Sequence, residues 1–242
     1  MSIVGNIFRR IIRDISELIY GDECCVICGH SIDNERHGLC LRCRYEMPIT
    51  RYCFDRNNPI KEHFESITPI VEASSYLYFK TDDKWRAMIH RLKYHDEWHL
   101  GVMFGELYGV DLKASNLYDD VDLIIPVPLH IMKYLKRRYN QSEYIAEGIS
   151  NVLGIKVDRS IVYRRRNNPS QTRQHVTGRW VNVDNLFAVR NPGRLHNKHI
   201  LLVDDVLTTG ATLISCIQAI RSVAPTCRIS IATLAVAGRF KR

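Results

Sequence analysis

The stretch HILLVDDVLTTGATL, His199 to Leu213, constrains this chain more than any other. Ile200 to Val203 form a short apolar run of the kind buried on both faces of a parallel sheet. Two adjacent carboxylates, Asp204 and Asp205, stand at its C-terminal end. A loop of small residues follows, and a helix is expected from Ala211. Open α/β sheets bind ligands at this end of their strands. Gly210 lets the backbone approach an anion closely, and the N–H groups of the loop and first helical turn point at that anion with the helix dipole behind them. The hydroxyls of Thr208, Thr209 and Thr212 add hydrogen bonds. Carboxylates beside an anion nest would repel the anion unless they serve another part of the same ligand. A phosphorylated sugar removes the conflict: phosphate in the loop, sugar hydroxyls donating to Asp204 and Asp205 in charge-assisted bonds. No GxxxxGK[ST] occurs, and no GxGxxG follows a strand, so P-loop and dinucleotide-binding readings fail.

The rest of the chain supplies the sheet such a strand needs. Val71 to Phe79, rich in β-branched and aromatic residues, reads as a strand, as do Val121 to Val127 and Arg228 to Ala237. Helices are expected with Trp85, Met88, Ile89 and Leu92 on one face, over Leu100 to Leu112, over Ile145 to Leu153 and over Ala211 to Val223. Strands alternating with helices predict a doubly wound, mostly parallel α/β sheet. Ahead of it, apolar residues from Ile7 to Ile19 recur at helical spacing and predict an amphipathic helix rather than a targeting peptide. Arg56-Asn57-Asn58-Pro59 reads as loop and places the boundary around residues 50–68. The expected organisation is an N-terminal helix and cysteine module over residues 1–55 and an α/β domain over 65–242.

Five of the 8 cysteines lie between Cys24 and Cys43. Cys25-x2-Cys28 and Cys40-x2-Cys43 are two knuckles that supply four thiolates, enough to close a tetrahedral Zn²⁺ site in a small zinc-ribbon-like module. A site with every position filled by thiolate is structural, not catalytic. Clustered cysteines without a secretory segment point to a reducing cytoplasm. Cys24 is the nearest rival ligand, and Cys53, Cys216 and Cys227 read as core. No apolar run is long enough to span a bilayer. The net charge of +8 favours anionic partners, phosphates or nucleic acid among them. Basic residues follow the second strand at Lys133, Lys136, Arg137 and Arg138. They recur from Arg159 to Arg179 with no acid between, including Arg164, Arg165, Arg166, Arg173 and Arg179. The second of these stretches reads as a mobile cationic lid or, alternatively, a nucleic-acid patch.

VDDVLTTGAT resembles the phosphoribosyl-diphosphate (PRPP) motif of type I phosphoribosyltransferases. The wider chain resembles the ComF/GntX family of competence-associated phosphoribosyltransferase-like proteins through LKYH (Leu92 to His95), IIPVPLH and RRYNQSEYIA (Ile124 to Ala146), and Gln171, Thr172, Arg179 and Asn182. The resemblance implies a PRPP-binding segment of Asp204, Asp205, Val206, Leu207, Thr208, Thr209, Gly210, Ala211 and Thr212, with ribose on the acids and 5′-phosphate in the loop. It implies diphosphate or lid contacts from Lys133, Arg137, Arg138, Arg166, Arg173 and Arg179, and Mg²⁺ carried with PRPP. The implied activity is phosphoribosyl transfer to an unidentified nitrogen acceptor, with a role in DNA uptake. A non-catalytic protein binding PRPP or single-stranded DNA, alongside competence or DNA-processing partners, is the alternative. Hypoxanthine-type enzymes carry a general-base acid three positions after the paired acids. Here that position is Thr208, which resembles the orotate-, adenine- or glutamine-using members instead.

Overall fold

The computed structural model describes residues 24–32, 38–79, 84–94, 97–129, 131–165 and 186–240. The expected helix over Ile7–Ile19 lies outside them, as do His95, Gln171, Thr172 and Asn182. The chain forms two compact units, one from Met1–Met47 with Asp82–Met88, the other from Pro48–Thr81 with Ile89–Arg242.

In the first unit, a tight turn over the first pair of cysteines is closed by Gly29 N–H to the Cys25 carbonyl at 2.8 Å, with Gly29 itself left-handed at φ 72°. The second pair opens helix α1 (Leu41–Tyr45), where Cys40 is the N-cap and its sulfur accepts from the Cys43 N–H at 3.4 Å.

The second unit is the α/β domain. Four strands, β1 (Ala73–Phe79), β2 (Leu123–Pro126), β5 (His199–Leu207) and β6 (Arg228–Ala237), form one wholly parallel sheet in the order β1-β6-β5-β2. Two three-residue strands, β3 (Val162–Arg164) and β4 (Phe187–Val189), pair antiparallel as a separate ribbon. Helices cover both faces, as parallel strands require. Helix α2 (Pro59–Glu65) contributes Ile60 and Phe64, and helix α7 (Ala211–Arg221) contributes Leu213, Cys216, Ile217 and Ile220, to the core built on Ile200, Leu202, Ile229 and Ile231. Helix α4 (Trp98–Ser115) packs on β6, with its Tyr108 hydroxyl bonded to Ser74 of β1 at 2.5 Å, while helix α6 (Gln141–Leu153) packs on β5 and β2. Helix α5 (Ile131–Arg137) completes the set, and helix α3 (Lys84–Tyr94) belongs to the first unit as far as Met88 and to the second from Ile89. Trp85, Met88, Ile89 and Leu92 of α3 are all buried, as their spacing predicts.

Helices α4 and α6 meet backbone to backbone. A Cβ on Gly105 would lie 2.3 Å from the Ile145 carbonyl oxygen, and one on Gly148 would lie 2.1 Å from the Val102 carbonyl oxygen.

Two expectations change. The Arg56-Asn57-Asn58-Pro59 stretch is loop only as far as Asn58, which caps α2, with Pro59 in the first turn. The buried Asn58 side chain accepts from the Ile60 and Lys61 N–H groups and donates to the carbonyls of Tyr52, Asp55 and Ala73. Asn-Pro is a helix start as readily as a helix stop, because proline's fixed φ suits the first turn. The strand expected to end at Val203 continues through the acids to Leu207, because β6 keeps pairing with it: Asp204 opposite Thr233, Leu207 opposite Val236.

Candidate functional site

The acids therefore sit at the sixth and seventh of the 9 residues of β5, with Asp204 still paired in the ladder. Asp204 Oδ1 accepts the Ser142 hydroxyl at 3.0 Å and the Asp205 N–H at 2.9 Å. Ser142 is placed by the start of α6, where Asn140 caps the Ser142 N–H at 3.3 Å and donates to the Val127 carbonyl at 3.0 Å. Asp205 Oδ1 accepts the Val206 N–H at 2.6 Å, and its Oδ2 lies 3.0 Å from Lys93 Nζ and 4.0 Å from Arg137. The Arg137 guanidinium also donates to Gln141 at 3.0 Å and to the Tyr94 hydroxyl at 3.3 Å, and stacks over the Tyr94 ring at 5.1 Å. Arg164 of β3 lies over Phe187 at 5.3 Å, and its buried Nε has no hydrogen-bond partner among the described residues. Burial lowers the Arg164 pKa, and the Asp204 charge opposes that.

Burial, with the Asp205 charge added, raises Asp204 from the ordinary 3.8 to about 7, against the pull of the Asp205 N–H, Ser142 and Lys93. Near neutral pH Asp204 is thus poised between its protonated and charged forms.

The loop that follows lines a small concavity from Val206 to Leu213 together with Asp204. Thr208, Thr209, Ala211 and Thr212 are exposed, and Gly210, left-handed at φ 80°, is buried at the N-cap of α7. Helix α2 backs this turn. His63 Nε2 is 3.3 Å from the Thr209 carbonyl, and a Cβ on Gly210 would meet the Phe64 ring at 3.2 Å. Gly210→Ala combines that contact with an unfavourable φ, so it is expected to cost roughly 1–2 kcal/mol. Thermal melting checks this; an unchanged melt would mean that the turn is held differently.

The structure brings Asp204, Asp205, the loop and Arg137 together. Arg138 follows α5 in a left-handed conformation at φ 64°, with an exposed side chain. The side chain of Lys133 and the residues Arg166, Arg173 and Arg179 lie outside the described residues. Sequence reasoning quoted Lys93 and Ser142 only within longer motifs and passed over His63. Nothing in one sequence pairs a helix lysine with an acid more than a hundred positions away.

In the first unit, the sulfurs of Cys25, Cys28, Cys40 and Cys43 all lie within 4.8 Å of one another, and Cys24 and His30 are not part of the group. Cys28 and Cys40 sulfurs are 3.6 Å apart. A tetrahedral ion with metal–sulfur bonds of about 2.3 Å needs sulfurs roughly 3.8 Å apart, so the donor set fits a thiophilic metal. Burial works to raise the Cys25 thiol, but N–H groups of Cys40, Cys28 and Ile27 outweigh it and bring the thiol down to about 6. Burial and the neighbouring Cys28 and Cys40 push Cys43 up to about 12, against the Lys84 ammonium 3.4 Å away. Cys53, Cys216 and Cys227 are buried, and burial raises all three thiols. Among the described residues no helix is long and apolar enough to cross a membrane.

Residues 140–241 match the phosphoribosyl transferase domain model. The chain is 24% identical over 203 residues to competence protein F of Haemophilus influenzae, covering 78% of this chain and 86% of that protein. It is 24% identical over 197 residues to the DNA utilization protein YhgH of Salmonella typhimurium, covering 78% and 80%. Similar solved structures include a Staphylococcus aureus hypoxanthine phosphoribosyltransferase, 15% identical over 58% of this chain and 65% of that one, with a TM-score of 0.38. A Pyrococcus horikoshii purine phosphoribosyltransferase is 19% identical over 55% and 74%, with a TM-score of 0.33. The domain match covers the acids, the loop and the strands that carry them, and the two relatives cover four-fifths or more of their own lengths. On these grounds the C-terminal part of the chain is similar to phosphoribosyl transferase domains, and most of its length is similar to competence protein F and the DNA utilization protein YhgH.

Proposed function

We propose that this protein binds Mg²⁺·PRPP at the end of β5 and transfers the phosphoribosyl group to a nitrogen acceptor in the cytoplasm, in the service of DNA uptake. The observation that carries the reading is one continuous segment, Asp204 to Thr212, in which two acids on a strand lead into a glycine turn and a helix N-terminus. Ribose hydroxyls donate to Asp204 and Asp205, and the 5′-phosphate sits on the N–H groups and hydroxyls of Thr208 to Thr212. Arg137 faces the diphosphate, joined by Lys133, Arg138 and the lid arginines Arg166, Arg173 and Arg179. Mg²⁺ carried with PRPP would offset diphosphate charge. The acceptor nitrogen's lone pair forms the bond to C1′ while the C1′–oxygen bond breaks and diphosphate leaves with that electron pair. Holding sugar, phosphate and diphosphate together orients C1′ for this displacement. The four-cysteine module holds one structural Zn²⁺.

The relatives' names, competence and DNA utilization, favour a second reading in which the same protein binds PRPP or single-stranded DNA without catalysis and works with DNA-processing partners.

Calorimetry with Mg²⁺·PRPP tests binding: saturable heat is expected, and none at ligand concentrations of about 1 mM overturns the reading. Diphosphate release over a panel of nitrogen acceptors separates enzyme from binder. Hypoxanthine and guanine are expected to give no efficient turnover. Thr208 cannot take a purine proton, and a positioned carboxylate there would supply on the order of 10²–10⁴ in rate. Ordinary turnover with either base, lost in Asp205→Asn, would show that the base has been misassigned.

A further inference from the structure

The two acids are not equally available. Both oxygens of Asp205 are engaged: Oδ1 by the Val206 N–H at 2.6 Å, Oδ2 by Lys93 at 3.0 Å with Arg137 at 4.0 Å. Asp204 takes both its hydrogen bonds, from Ser142 and from the Asp205 N–H, on Oδ1. The two cations differ as well. Arg137 is fixed by Gln141, by the Tyr94 hydroxyl and by the Tyr94 ring, so it stays in place whatever Asp205 does. Lys93, 20% exposed on α3, has Asp205 as its partner among the described residues. Among the described residues, Arg164 on β3 and the Cys216 thiol on α7 also feel the Asp204 charge.

Adjacent carboxylates in a partly buried site tend to share one proton, because burial and mutual repulsion both disfavour the doubly charged state. A shared proton occupies lone pairs that sugar hydroxyls would otherwise use. An ammonium at 3.0 Å opposes this directly and leaves Asp205 Oδ2 a second lone pair. We propose that Lys93 is a positioning residue for the acid pair: its ammonium pins the Asp205 carboxylate in one rotamer and offsets the negative charge beside Asp204, so that Asp204 and Asp205 meet the ligand as two separate acceptors. The purpose assigned here rests on the PRPP reading, while the electrostatic role does not.

Two measurements on the full chain test it. In ligand-free protein with carboxyl-¹³C aspartate, the acid-pair signals, identified by their loss in Asp204→Asn, should titrate about one pH unit or more higher in Lys93→Met than in wild type, and return close to wild type in Lys93→Arg. An unmoved midpoint in Lys93→Met overturns the proposal. Calorimetry with Mg²⁺·PRPP should show Lys93→Met about tenfold weaker at pH 7 and close to wild type at pH 9, where Asp204 ionises without its help. An equal loss at both pH values would mean that Lys93 contacts the ligand itself, and that too overturns the proposal. Wild type that fails to bind PRPP sinks the proposed function, and the titration alone then decides Lys93.

Discussion

Cys43→Ser is expected to strip the metal from the N-terminal unit and unfold it. Cys43 is fully buried, and its sulfur is one of four that fit a single tetrahedral ion. In small thiolate modules the binding energy of structural zinc, about 10–16 kcal/mol, is also the folding energy. Helix α1 offers little to replace it: it is 5 residues long, and its Leu41 and Tyr45 are 70% and 93% exposed. Four thiolates on one divalent ion leave a net charge of about −2. Lys84, 3.4 Å from the Cys43 sulfur and bonded to Glu46 at 2.5 Å, stands where it offsets part of that charge. Elemental analysis should give about one zinc per wild-type chain and none in the variant. Proteolysis of the variant should cut first within residues 24–47. Metal-free wild type with an unchanged melt would remove the zinc assignment altogether.

Asp204→Asn should act in opposite directions on stability and binding. Asparagine keeps an oxygen for Ser142 and for the Asp205 N–H but loses the charge. A carboxyl raised from 3.8 to about 7 binds its proton more tightly in the folded chain than in the unfolded one. Its stabilising protonated form is therefore present below about pH 4, and stability falls as pH rises from about 4 to about 7, with no further change above. The variant lacks that loss. It should melt above wild type at pH 8 by an amount on the order of 1–3 kcal/mol, and the gap should close towards pH 4. PRPP affinity should drop by a similar free energy, and further in the double variant with Asp205→Asn, because neutral acceptors replace charge-assisted ones. A melt no higher than wild type at pH 8 would show that its surroundings do not penalise the Asp204 charge. Equal PRPP affinity in the double variant would refute the ribose role.

What the sequence made legible is what local pattern encodes. Ile200 to Val203, Val121 to Val127 and Arg228 to Ala237 are runs apolar enough to be buried on both faces, and all three became strands of one parallel sheet. The cysteine spacing gave the four-sulfur cluster directly. Less legible were elements whose signal lies in their partners. Strands β3 and β4 are three residues each, too short for alternation to register, and twenty-two residues separate them. Helix α2 hid behind Asn58-Pro59, whose meaning depends on whether the asparagine side chain turns back onto the next N–H groups, as it does here at 3.1 Å. The Lys93–Asp205 pair joins α3 to β5 through tertiary packing alone.

The glycine contact between α4 and α6 has a consequence for how the domain tolerates change. Where two helices touch through side chains, a substitution is absorbed by a shifted rotamer. At Gly105 and Gly148 the opposing surfaces are peptide carbonyls and amides, which have no rotamers to give. Any added carbon must slide one helix along or away from the other. Six residues before Gly148, α6 carries Ser142, the residue that ties its first turn to Asp204 at 3.0 Å. A methyl group at position 148 would thus be felt two helical turns away, as a misaligned hydroxyl at the acid pair.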